Sequence, residues 1–150
     1  MYPMVISVTN GGSRELVATG DVLTTYLTMS NELGIPKILL CPQDTNRTYA
    51  SSFASLTRSN ISYFVGADVT NELNPQAILS GDDNFLVGGV PVRSGLIGLT
   101  ISTPVSWSAV RHMRQGNIGL ADGSVSQLTD KLLREKLEET GIVTNRLAIP

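Results

Sequence analysis

The chain has one histidine, His112, and one cysteine, Cys41, so any imidazole or thiol chemistry depends on those two positions. A serine hydrolase of the common kind needs its nucleophile on a strained Gly-x-Ser-x-Gly elbow, and the sequence has none. Cys41 ends the apolar run Ile38-Leu39-Leu40-Cys41, where a thiol serves as core rather than as nucleophile. Asp82-Asp83-Asn84 clusters hard oxygen donors, and Asp82 and Asp83 are the candidates for a calcium site. Their spacing is not that of an EF-hand, which favours a solvated turn. Binding of a metal by His112 together with Asp122 is a sharper alternative, but two protein ligands fall short of a stable site. Gly95-Leu-Ile-Gly98 and Gly116-Asn-Ile-Gly119 complete no phosphate-binding loop and read as packing or bulge glycines. Trp107, just before Arg111-His112, is the best candidate for an exposed recognition residue and an equally good core anchor.

The elements that must position these residues follow from periodicity and punctuation. Met4–Thr9 has strand chemistry and closes on Asn10-Gly11-Gly12-Ser13. Asp21 caps an expected amphipathic helix over 21–33, with Gly34 and Pro36 as its stop. Ile38–Cys41 reads as a short buried strand ended by Pro42, and 43–60 as loop or short helix. Ile61–Val65 and Ala77–Leu79 are expected central strands, and irregular loops join strands across 82–106. Asp122-Gly123 between two apolar runs predicts a hairpin with a type I′ turn. Thr129 caps a charged helix ending near Thr140, with Gly141 after it, and 142–149 is extended. The sum is one α+β domain spanning residues 1–150: an antiparallel sheet with one helix in the N-terminal half and one at the C-terminus.

At 150 residues the chain can bury a core without disulfides or metal. Eleven basic against thirteen acidic residues give a net charge of −2, which leaves no basic stripe for nucleic acid. The longest uncharged stretch, Ser94–Val110, is interrupted by Pro104, glycines and hydroxyl residues, so it is no membrane span.

One segment is more distinctive. In Arg111-His112-Met113-Arg114-Gln115-Gly116-Asn117-Ile118-Gly119-Leu120-Ala121-Asp122-Gly123-Ser124-Val125, nine residues separate the histidine from Asp-Gly. This resembles the H-x9-DG element of prepilin-like proteins of the planctomycete and verrucomicrobial type. Pro36-Lys37-Ile38-Leu39-Leu40-Cys41-Pro42 with Asp44, Asn60–Gly66, and Gly81-Asp82 with Asn84 extend the resemblance over about Asn31 to Leu128. It implies a pilin-like fold and a processed leader with a long hydrophobic helix. It also implies assembly with other pseudopilin subunits and secretion-system components at the periplasmic side of the inner membrane, without catalysis or cofactor. The chain carries neither leader nor long apolar helix. Either the soluble domain stands apart from its anchor, which the abrupt Met1-Tyr2-Pro3 start favours, or the protein has diverged and no longer assembles. On this reading the motif residues His112, Gly116, Asn117, Asp122 and Gly123 are structural, with His112 clamped onto the Asp122-Gly123 turn. An apolar patch is expected where the missing helix would pack, unless 21–33 fills that groove. The rival readings are a carbohydrate-binding or surface-recognition module, resting on Trp107 and the hydroxyl-rich loops, and a hydrolase with an unrecognised site.

Overall fold

The structure is a computed structural model that describes residues 2–69 and 73–150. Its strands are β1 (Tyr63–Gly66), β2 (Ile78–Asp82), β3 (Phe85–Val87), β4 (Val90–Pro91), β5 (Gly95–Leu99), β6 (Val105–Trp107), β7 (Gly116–Leu120), β8 (Val125–Leu128) and β9 (Asn145–Ile149). Six of them form an antiparallel sheet in the order β5-β9-β1-β2-β7-β8, and the other three a second sheet ordered β4-β3-β6. The helices are short: α1 (Arg14–Val17), α2 (Val22–Thr28), α3 (Ser30–Leu33) and α4 (Asp130–Glu139).

Alternation along the strands gives the large sheet two buried faces. Phe64, Ile118, Leu147 and Ile149 meet Phe85 and Trp107 of the small sheet and Leu133 and Leu137 of α4. Val65 and Ala148 point the other way, against Val22 and Tyr26 of α2 and Leu39 and Leu56 of the flanking turns. Segment 21–33 thus packs on this second face of the large sheet through Val22 and Tyr26.

The pilin-like α+β expectation is overturned: the chain is mostly β, in two antiparallel sheets, and its helices are too short to form the layer a pilin fold requires. The physical reason is punctuation in the first third of the chain. The 21–33 helix forms, with Asp21 Oδ1 accepting from Thr24 N at 3.1 Å, but it breaks at Met29 into α2 and α3. Met4–Thr9 is two 3₁₀ turns, Pro3–Val5 and Val8–Asn10, because Pro3 and the Gly11-Gly12 pair leave no room for a ladder. Ile38–Cys41 is likewise no strand: Pro36 opens a 3₁₀ turn over Pro36–Leu39 and Cys41 lies beyond it. Among the described residues no helix is long and apolar enough to cross a membrane.

The C-terminal half follows its sequence signals closely. Thr129 Oγ1 accepts from Leu132 N to cap α4, and Gly141 ends it at φ +65°. β7 and β8 form the expected hairpin. Its turn is not type I′, since Gly123 alone has positive φ (+84°). Leu120 N donates to Ser124 O, which leaves a three-residue loop with glycine at the left-handed position.

Candidate functional site

Strand register explains why three polar side chains meet at one end of the large sheet. Tyr63 lies opposite Asp82 and Phe64 opposite Gly81, while Gly81 lies opposite Ile118. Opposed residues share a face, so Phe64, Gly81 and Ile118 turn to the core while Asp82, Tyr63 and Asn117 turn to the other side. Gly81 is required there, because a Cβ would sit 2.5 Å from Ile118 Cδ1 and 2.8 Å from Phe64 Cζ. Asp82 is 1% exposed. Its Oδ2 accepts from Asn117 N at 2.7 Å and Asn117 Nδ2 at 2.9 Å, while its buried Oδ1 has no hydrogen-bond partner.

Two loops bring the remaining groups. Ser62 N donates to Leu39 O at 2.9 Å, which holds the segment around Cys41 against the start of β1 and buries the thiol. His112 opens three consecutive non-glycine residues in the left-handed region, His112 (φ +52°), Met113 (+53°) and Arg114 (+62°). Such a run costs roughly 1–2 kcal/mol per residue and persists only where the surroundings hold it. One restraint is His112 N donating to Gln43 Oε1 at 2.8 Å. The imidazole Nε2 then lies 3.3 Å from Cys41 Sγ and 3.3 Å from Asp82 Oδ2. Tyr63 borders the same group: burial, then the neighbouring Cys41 and Asp82, push its hydroxyl pKa up to about 12.

Asp83 turns away from Asp82 into a separate charge network. Arg47 Nη2 donates to Asp83 Oδ2 at 2.6 Å, Arg111 Nη2 donates to Asp83 Oδ1, and Arg47 Nη1 donates to Asp44 Oδ2 at 2.8 Å. Ser62 Oγ completes it with a 2.8 Å bond to Asp44 Oδ2. Burial would raise the Asp44 pKa, but the bonds from Ser62 and Arg47 and the charge of Arg111 outweigh it and hold the carboxyl below its usual range. Two guanidiniums facing two carboxylates neutralise one another. The open cleft of about 370 Å³ beside them, lined by Asp44, Arg47, Asp83 and Arg111, therefore presents a compensated wall rather than an anion trap.

Several of the roles expected from the sequence change as a result. Asp82 and Asp83 do not form a shared calcium cradle, because both Asp83 oxygens are engaged by arginines. Asp122 is taken up by its own turn, where Oδ1 accepts from Ser124 N at 2.8 Å and Ser124 Oγ at 2.6 Å. His112 therefore does not clamp that turn; its bonds run to Gln43, Cys41 and Asp82. Gly116 is needed for packing, since a Cβ would lie 2.1 Å from Trp107 Cζ3. Trp107 is a buried core anchor. Sequence reasoning placed Asp44 and Arg111 among resembling residues without a role, and it missed Arg47 altogether as a charge partner. Arg47 stands three residues after Asp44, the one local signal for their pairing.

No protein-family model matches the chain, and neither the curated proteins nor the solved structures give a match.

Proposed function

We propose that the chain is a non-enzymatic subunit of a pilus-like or type II secretion pseudopilus assembly, working by protein–protein packing on the periplasmic side of the inner membrane. The observation that supports this is where the H-x9-DG residues direct their bonding capacity. Gly116 admits the Trp107 ring, Asn117 holds Asp82, Asp122 closes its turn on Ser124, and Arg111 neutralises Asp83. These interactions tie β2, β7 and the hairpin together and give Asn117, Asp122 and Arg111 partners within the chain. The reading does not require a pilin fold; it requires a rigid β domain that presents its surface to other subunits. The carbohydrate-binding alternative loses its recognition residue with the burial of Trp107. The hydrolase alternative has a histidine whose cysteine and carboxylate contacts both fall on Nε2, so the carboxylate does not orient the ring from the far nitrogen as a triad needs.

In-cell crosslinking tests the proposal, with a photoreactive residue at exposed Val125 on β8 or at exposed Val143. Expected products join the chain to copies of itself or to subunits carrying a prepilin leader, and they co-purify with fibres sheared from the cells. Absence from sheared fibres, together with turnover of an ester, glycoside or phosphate that His112→Ala abolishes, would place the protein among enzymes.

A further inference from the structure

Cys41, Asp82 and His112 converge from a loop, a strand end and a strained turn, and their ligand-type atoms all lie within 4.8 Å of one another. We propose that they form a three-ligand site for a divalent transition metal, with zinc the best match, independent of the assembly reading above.

Two of the three separations match those around an ion. A tetrahedral zinc with bonds of about 2.0–2.3 Å to N, O and S spaces its ligand atoms about 3.3–3.6 Å apart. Nε2 is 3.3 Å from Sγ and 3.3 Å from Oδ2. A catalytic relay is not what this geometry builds. In a relay the thiol and the carboxylate address opposite ring nitrogens, whereas here both address Nε2, and a neutral imidazole nitrogen cannot accept from the thiol while donating to the carboxylate. A cation resolves the conflict by taking the Nε2 lone pair, a thiolate and a carboxylate at once, leaving the buried complex without net charge.

A second observation is independent of those distances. Asp82 is 1% exposed, yet Oδ1 is buried with no hydrogen-bond partner, a costly state for a charged group unless something binds it. Asn117 supplies the outer support usual at metal sites, holding Oδ2, the oxygen 3.3 Å from Nε2, while Oδ1 of the same carboxylate keeps its lone pairs. Access comes from the His112 side, whose side chain is 13% exposed while Cys41 and Asp82 are closed off. The mixed soft and hard donors choose the metal: thiolate with imidazole suits zinc or cobalt, and calcium and magnesium are disfavoured.

The test is titration of the full chain with Co²⁺, which reports thiolate ligation by charge transfer in the near ultraviolet and tetrahedral geometry by its visible bands. The expected result is one ion per chain, displaced by Zn²⁺, with a raised melting temperature in the presence of zinc. His112→Ala and Cys41→Ser should lose the charge-transfer band, and Asn117→Ala should bind about 10- to 100-fold more weakly because it acts on Asp82 alone. Asp122→Asn should bind like the parent, which separates this site from the His112–Asp122 pairing. His112 is the most exposed of the three ligands, so His112→Ala, with its fold checked by circular dichroism, decides the matter if Cys41→Ser fails to fold. A parent chain without thiolate-to-cobalt charge transfer, or a folded His112→Ala that keeps it, overturns the proposal.

Discussion

Asp82 Oδ2 accepts both the backbone and the side-chain N–H of Asn117, at 2.7 and 2.9 Å, across neighbouring strands of the large sheet. One carboxylate thus ties the end of β2 to the start of β7, and the same Oδ2 lies 3.3 Å from His112 Nε2. Asn117→Ala removes the side-chain bond and leaves the backbone one, so we expect a loss of about 1–3 kcal/mol in urea unfolding at neutral pH. An unchanged midpoint would mean that Asp82 finds another donor.

Gly116 and Gly123 belong to the same hairpin but are glycines for different reasons. A Cβ on Gly116 would overlap the Trp107 ring, whereas one on Gly123 meets nothing within 4 Å and suffers only from φ +84°. Gly116→Ala should therefore cost more, about 1–3 kcal/mol or above from overpacking, and should alter Trp107 fluorescence. Gly123→Ala should cost about 1 kcal/mol and leave the emission unchanged. Equal losses with equal spectra would contradict this division.

The Asp44 carboxyl is held below its ordinary range, which gives stability a defined acid dependence. A lowered folded-state pKa contributes stability that is present above the unfolded value of about 3.9 and is lost as pH falls through the folded value. Melting temperatures of the parent and Asp44→Asn, measured from about pH 7 to pH 3, should differ most at neutral pH and converge in acid. Parallel curves would assign the acid sensitivity to other groups.

Met113 sits in the left-handed run at φ +53° and is 93% exposed, so its side chain gives little packing in return for the strain. Met113→Gly removes the Cβ clash but adds freedom to the unfolded chain, for an expected net gain of up to about 1 kcal/mol. Thermal melting checks the sign; a clear loss would show that Met113 makes contacts beyond its strained backbone.

Much of the local structure could be read directly, because the interactions that set it are local. Asp21 and Thr129 cap helices three residues away, Gly34 and Gly141 end them, and Asp122-Gly123 reverses the chain through bonds to Ser124. Ile61–Val65 and Ala77–Leu79 overlap the central β1 and β2 in part. The same local reasoning failed at Met4–Thr9 and Ile38–Cys41, where Pro3 and Pro36 open 3₁₀ turns and the apolar runs pack against the sheet without joining it. The layer arrangement was not readable either. The choice between a helix layer and a second sheet rests on Phe85, Val87, Val105 and Trp107, whose pairing across about 20 residues is decided by packing on Phe64 and Ile118.

The site shows the division most clearly. Composition alone established that one thiol and one imidazole exist, and the H-x9-DG spacing tied His112 to the hairpin by proximity along the chain. Only tertiary structure could bring Cys41 and His112, separated by 71 positions, to 3.3 Å, and point adjacent Asp82 and Asp83 at different partners. A metal-type constellation of single residues leaves no spacing to recognise, because each ligand is carried by its own element and the register between elements is fixed by the core beneath them.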